Sequence, residues 1–252
     1  MNVPALIFLL IAGVGAGLTG SVAGLASLVS YPALLAVGLP PISANVTNTL
    51  ALLGTTVGAA AGSRPELAGQ RGQLKRLCLI TGIGGACGAA LLLLTPAGAF
   101  TAIVPFLIAG ASILMLLGPR LRRFSANSAV SGLGPLTAVA AFCVAVYGGY
   151  FGAAAGVLML ALLSTVWAQS LARSNAAKNI ATGAANLIAA VVFAFTGKVN
   201  WPAMIALCAG SVIGSWIGPA IVRRVPATPL RIVIALAGLG LAGTLGWQAF
   251  VS

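Results

Sequence analysis

Asn175, Asn179, Thr182 and Asn186 fall at i, i+4, i+7 and i+11, so a helix carries all four on one face. Amides and hydroxyls in such a row can donate hydrogen bonds to the oxygens of a bound anion, whereas an amide turned toward lipid would be costly. The competing explanation is interhelical hydrogen bonding with no ligand. Lys178 is the one cation close to this row, with Arg173 about one and a half turns earlier. A cation at such a depth could attract an anion or gate its path. The bland alternative, which fits Arg173 best, is an anchor that snorkels to lipid phosphate.

Two glycine-rich breaks are the other chemistry-bearing features. Gly20-x-x-x-Gly24 and Gly152-x-x-x-Gly156 each interrupt a long apolar run. Read as packing, they are small-residue contacts between helices, like Gly210, Gly214 and Gly218. Read as a site, Thr19-Gly20-Ser21 and Gly149-Tyr150-Phe151-Gly152 each end one half-helix and start another. That would expose unpaired backbone N–H groups and the positive end of a helix dipole. A polar helix start, Ser43-Ala44-Asn45-Val46-Thr47-Asn48-Thr49, follows the first break. Its residues split between two faces, Asn45, Thr49 and Thr56 on one and Ser43, Thr47 and Gly54 on the other, and the pattern does not choose between them.

Much other chemistry is excluded by composition. The chain has no Asp, no His and a single carboxylate, Glu66, in a loop beside Arg64 and Arg71 where solvation is expected. That leaves no Ser-His-Asp triad, no carboxylate pair and no zinc or di-iron ligand set, so neither an enzyme nor a cofactor is expected. Proton relays through membranes usually need Asp, Glu or His, so carboxylate-based proton coupling is not expected either. The cysteines at 78, 87, 143 and 208 form no CxxC pair and read as small core residues. A net charge of +12 falls in short clusters without interleaved aromatics, which suits membrane topology better than nucleic acid.

The elements that must position these residues follow from hydropathy. With 60% apolar and 6% charged residues and a mean hydropathy of +1.11, the 252-residue chain belongs in a bilayer. Its long charge-free runs are 63, 43, 49, 19, 24 and 21 residues. At roughly 20 residues per crossing, they hold about ten spans or half-spans. The first run has no basic n-region and is too long for a signal peptide, so it is read as mature structure. Helices are expected over 3–18, 20–37, 44–62, 76–94 and 98–118, then over 133–149, 152–166, 174–196, 200–221 and 229–250. With ten reversals, twelve basic residues fall on one side and only Lys198 on the other, as the positive-inside rule requires. Whether each short glycine-rich pair is two spans or a re-entrant hairpin stays open, since the parity is the same.

The chain also repeats itself. GLTGSVAG at 17–24 matches GYFGAAAG at 149–156, an offset of 132 that continues through Leu39 with Leu171 and Thr47 with Asn179. Five segments per half is an odd number, so the halves must enter the membrane from opposite faces, an arrangement used by many secondary transporters. The expected fold is thus an all-α polytopic membrane protein of two inverted repeats. Residues 1–118 and 133–252 form them, joined by a basic cytoplasmic linker at 119–132.

Two halves, each opening with a glycine-rich break and a polar helix start (Pro-x-x-Ala-Asn at 41–45 and Asn-x-x-Lys-Asn at 175–179), resemble the TauE/SafE family of sulfite and organosulfur anion permeases. The resemblance covers nearly the whole chain. It implies secondary transport of a small sulfur-containing anion such as sulfite, thiosulfate or sulfoacetate, often as efflux across the cell membrane. The residues expected to bind that anion are Thr19, Gly20, Ser21, Gly24, Asn45, Thr47, Asn48, Gly152, Gly156, Asn175, Lys178, Asn179 and Asn186. An anion-selective channel and a non-transporting membrane subunit are the competing classes, and the second leaves the matched breaks unexplained.

Overall fold

The computed structural model describes residues 1–126, 133–167, 169–196 and 198–222, together with 232, 236, 239–240 and 242–247. Every regular element among them is helical. The first half contains α1 (Val3–Ala23), α2 (Ala26–Ala36), α3 (Pro41–Ala51), α4 (Leu53–Gly62), the single turn α5 (Arg64–Leu67), α6 (Arg71–Leu94) and α7 (Ala97–Ala126). The second contains α8 (Pro135–Tyr150), α9 (Ala155–Val166), α10 (Leu171–Ala194) and α11 (Trp201–Val222). Among the described residues, α1, α6, α7, α10 and α11 are long and apolar enough to cross a membrane. Their outward faces carry Ile7, Ile11, Leu79, Ile83, Phe106, Val191, Ile205 and Trp216, all exposed, as helices facing hydrocarbon require.

Local signals set the helix ends. Asn2 accepts a hydrogen bond from the Ala5 N–H (3.3 Å) and Ser170 from the Arg173 N–H (3.4 Å), capping α1 and α10. Proline stands in the first turn of α3 and α8, where its missing N–H costs nothing. Helices α3 and α4 are one kinked element, joined at Leu52 by a tight turn in which the Thr55 N–H reaches the Leu52 carbonyl (3.0 Å).

Packing crosses between the halves. Helix α1 lies along α11, with Gly13 and Gly17 against the backbone of Leu207 and Ser211, answered by Gly210 and Gly214 against Leu10 and Val14. In the same way α8 lies along α6, with Gly84 and Gly88 against Phe142 and Val146, and Gly149 against Gly85. Gly54 and Gly58 seat α4 on α11, and Gly85 seats α6 on Ala185 of α10. Lipid tails give apolar side chains little reason to associate, so close backbone approach at small residues supplies the dispersion contacts that hold such helices together.

Helices α6 and α10 run the same way, since Arg173 bonds to the Ala68 carbonyl near their starts and Gly85 meets Ala185 midway. Arg64, Arg71, Lys75, Arg76 and Arg173 therefore lie toward one end of the bundle. Lys198 lies at the other, beyond the 24 residues of α10, which span about 36 Å.

Several boundaries differ from expectation. Helices α3, α6 and α10 begin three to five residues early, at Pro41, Arg71 and Leu171. Helix α7 runs to Ala126, so the first part of the expected linker at 119–132 is helical, and residues 127–132 lie outside the described residues. Of the helix expected over 229–250, the described positions are all helical; Arg223, Arg224 and Arg231 are not among them. Of the four cysteines expected in the core, Cys208 is half-buried and packs against it, Cys78 is half-buried, and Cys87 and Cys143 are exposed on the bundle's outer surface. Hydrocarbon tolerates a small, weakly polar thiol as readily as a protein interior does, so hydropathy does not separate the two. Glu66 is half-buried on α5, not fully solvated.

Candidate functional site

The first break lies one turn later than its glycine spacing suggests. Helix α1 continues through Thr19, Gly20 and Ser21, and the Thr19 hydroxyl donates back to the Gly15 (2.9 Å) and Ala16 (3.2 Å) carbonyls. The chain turns at Gly24, whose φ of +75° is one that a side chain strongly disfavours. In the second half α8 ends at Tyr150, and Phe151–Ala154 form the turn, with φ of +78° at Gly152 and +59° at Ala154. The two turns meet. A Cβ on Gly24 would stand 2.5 Å from the Gly156 carbonyl carbon, and one on Gly156 would stand 2.5 Å from the Gly24 Cα. The two turns therefore cross backbone to backbone at Gly24 and Gly156.

Helix polarity at these ends is opposite to expectation. What α1 presents at Gly20 and Ser21 is its carbonyl end, and the second half caps it. Lys178 Nζ donates to the Gly20 carbonyl (3.0 Å), and the Asn175 and Asn179 side-chain amides donate to the Ser21 carbonyl (2.8 and 3.4 Å). The first half answers at α8, where the Asn45 amide donates to the Tyr150 carbonyl (2.8 Å). Each capping helix thus ties down terminal carbonyls of the other half's opening helix, those of Ser21 and Tyr150 by side-chain amides, while the Gly20 carbonyl also accepts from the Gly24 N–H (2.8 Å). The positive ends belong instead to the returning helices: α2 starts at Ala26 and α9 at Ala155, neither with a side-chain cap. Edge-on aromatic contacts brace the second turn, Phe151 with Tyr31 (5.2 Å) and Phe100 with Tyr150 (5.9 Å).

Between the two turns lies a cavity. It is bounded by Gly20, Gly24 and Ser27 from the first break, Phe151, Gly152 and Gly156 from the second, Thr49, Thr55 and Thr56 from α3 and α4, and Lys178, Asn179, Thr182 and Asn186 from α10. Val144, Met159 and Ala185 make an apolar wall. Its free volume is about 60 Å³. That is roughly four waters' worth, and so enough for a small anion stripped of its shell.

Of the expected binding residues, Gly20, Gly24, Gly152, Gly156, Lys178, Asn179 and Asn186 line the cavity. Asn175 and Asn45 sit just outside, as caps. Asn48 is buried behind α2, donating to the Ser27 hydroxyl (3.2 Å) and accepting from Ser30. Thr19 and Ser21 are buried with their hydroxyls turned to their own helix. Thr47 faces away: its hydroxyl accepts from the Asn200 N–H (3.0 Å), and Ser43 on the same face donates to the Lys198 carbonyl (2.7 Å). The face left open by the sequence is therefore resolved, with Thr49 and Thr56 toward the cavity and Thr47 and Gly54 toward the start and middle of α11. Ser27 and Thr55 line the cavity unforeseen, because their direction depends on the angle at which α2 and α4 leave their turns. Lys178 is no snorkelling anchor, since it is 0% exposed and about 10 Å inside the start of α10. Arg173 is half-buried at the bundle's end on the Ala68 carbonyl (2.9 Å). Among the described residues no group of His, Cys, Asp and Glu is placed to hold a metal.

The family described as Sulfite exporter TauE/SafE matches residues 9–245. The chain is 27% identical over 230 residues to the "Probable membrane transporter protein YfcA" of Escherichia coli strain K12, covering 91% of this chain and 85% of that one. It is 24% identical over 254 residues to a "Probable membrane transporter protein" of Haemophilus influenzae, covering 99% of both. A third relative, ORF9 of a Sinorhizobium species with the same description, is 25% identical over 94% of this chain and 90% of its own. No solved structure matches. With the match running through both breaks, the buried lysine and nearly every helix, the chain belongs to the TauE/SafE sulfite exporter family and is a multi-pass membrane transporter.

Proposed function

We propose that this transporter exports a small sulfur-containing anion, such as sulfite or a sulfonate, from the cell across the plasma membrane by alternating access. The anion occupies the cavity between the two breaks, beside Lys178. The observation that carries the reading is that fully buried lysine, bordering a small cavity ringed by hydroxyls and amides, between the turns at Gly24 and Gly152. A lysine at that place, beside hydroxyls and amides, can donate to the oxygens of a bound oxyanion. The family description supports sulfite as the substrate class. The halves 1–118 and 133–252 act as inverted repeats, supported by the exchanged packing of α1 on α11 and α8 on α6 and by the crossing of Gly24 with Gly156. Basic loops at the Arg64–Arg76 end face the cytoplasm.

Direction follows from the membrane potential. An anion leaving a cell that is negative inside gains about 2.3 kcal/mol per charge per 100 mV, so export needs no coupled ion. The test is flux in proteoliposomes, with labelled sulfite, thiosulfate and sulfoacetate against chloride, at several clamped potentials. Saturable flux that accelerates when the same anion is present on both sides establishes a carrier. Non-saturating conductance means a channel, and no flux by correctly folded protein removes sulfur anions as the substrate.

A further inference from the structure

The hydroxyls that border the cavity are not equivalent, and the kink at Leu52 is what separates them. Within a helix, a serine or threonine hydroxyl commonly donates to the carbonyl four residues back. Thr49 does so to Asn45 (3.0 Å) and Thr182 to Lys178 (2.9 Å). Ser27 accepts from the Asn48 amide (3.2 Å), and Thr56 turns its side chain to Gly183 of α10. The same back-bonding recurs away from the cavity, at Thr95, Thr101 and Ser112.

Thr55 does not follow that habit. The Ala51 carbonyl, four residues back, is turned to α11 and accepts from the Ser211 hydroxyl (3.2 Å). The Leu52 carbonyl, three residues back, receives the N–H groups of Thr55 (3.0 Å) and Thr56 (3.4 Å) in the tight turn between α3 and α4. The Thr55 methyl lies toward α1, where a Cβ on Gly20 would stand 3.1 Å from it, so the hydroxyl branches away from that helix. Thr55 lines the cavity, and its buried oxygen has no hydrogen-bond partner among the described residues. A buried hydroxyl left in this way is destabilising unless something beyond the fold meets it, and here it borders the proposed substrate cavity.

We infer that Thr55 is a substrate-binding residue whose hydroxyl donates to an oxygen of the anion, and that the kink at Leu52 is what leaves it able to do so. This deepens the reading just proposed and rests on it. A hydroxyl that has given its proton to a helix carbonyl presents only lone pairs, which repel an anion. One whose neighbouring carbonyls are already taken presents the proton itself, and a hydrogen bond to a charged acceptor is among the stronger ones. Thr49 and Thr55 are alike in composition and both border the cavity; the kink gives them different chemistry.

The experiment measures saturable flux of labelled sulfite in proteoliposomes of the full chain, and the protection that sulfite gives the same protein against aggregation on heating. Thr55→Val removes the hydroxyl and keeps the shape, Thr55→Ser keeps the hydroxyl, and Thr49→Val removes one already bonded within its helix. Thr55→Val should need roughly ten- to a hundredfold more sulfite for half-maximal flux and protection, the range for one hydrogen bond to a charged group. Its heat stability without sulfite should match or exceed the parent's, because no partner is lost. Thr55→Ser should stay within about threefold of the parent, and Thr49→Val should lose several-fold less affinity than Thr55→Val. Parental affinity in Thr55→Val, or an equal loss in Thr55→Ser or in Thr49→Val, overturns the inference while anion transport stands. If Thr55→Val does not fold, Thr55→Ala carries the same comparison of affinity. If the parent protein moves none of sulfite, thiosulfate and sulfoacetate, the inference falls together with the transport reading.

Discussion

Gly24 and Gly156 combine two separable demands, and three single substitutions can tell them apart. Gly24 has a left-handed φ of +75°, and a Cβ there would stand 2.5 Å from backbone of Gly156. Gly38 has a left-handed φ of +87°, and a Cβ there would meet nothing within 4 Å. Gly156 sits in α9 with no such φ but meets Gly24 equally closely. Gly38→Ala should therefore cost backbone strain alone, about 1–2 kcal/mol. Gly156→Ala should cost overpacking alone, about 1–3 kcal/mol, at the upper end because backbone has no rotamer to change. Gly24→Ala should cost the sum, about 2–5 kcal/mol. Loss of monodisperse protein on heating in detergent ranks the three, and flux at a temperature where all are folded gives their activity. Gly38→Ala should transport normally. The double variant Gly24→Ala/Gly156→Ala should depart from additivity, since both changes press on one crossing. Equal losses for Gly24→Ala and Gly38→Ala would refute the crossing as a close contact.

Other expectations can be checked with the same preparations. Lys178→Met should abolish anion flux while Arg71→Ala, in a basic loop, leaves it largely intact; similar losses in both would remove Lys178 from the site. Thr47→Val should leave substrate affinity unchanged but lower stability by about 1–3 kcal/mol, because the Asn200 N–H loses its acceptor. Gly183→Ala should be damaging because its new methyl meets the Thr56 side chain, and Thr56→Ser should partly restore it, seen as recovered flux. Cys87 and Cys143, exposed within apolar helices, should react with a lipid-soluble thiol reagent and resist a membrane-impermeant one in intact vesicles.

Hydropathy and charge spacing revealed the helices well, because a bilayer punishes any other arrangement. They revealed ends less well: Thr19-Gly20-Ser21 looks like a break, yet its hydroxyls satisfy carbonyls within α1 and the turn waits for Gly24. The α10 face was readable from spacing alone, and Lys178, Asn179 and Asn186 do meet in the cavity. The face of α3 and α4 was not readable, because Thr47 and Thr49 are equally polar and only the position of α11 decides which turns inward. Burial of Cys87 and Cys143 was misjudged for a related reason: hydropathy cannot tell lipid from protein. What carries the proposed site, the pairing of Lys178 with Gly20 and of Gly24 with Gly156, joins residues more than a hundred positions apart. No local pattern records such a pair.

The exchanged packing also bears on how the chain is made. The closest neighbour of helix α1, α11, is synthesised about two hundred residues after it, roughly ten to forty seconds at usual translation speeds. Until then Gly13 and Gly17 have no backbone to meet, and α1 must wait in the bilayer or beside the insertion machinery. Neither half can complete its own core. A chain cut within 127–132 should therefore assemble only when both fragments are present in one membrane, and a nascent chain stalled before Trp201 should be open to quality-control proteases.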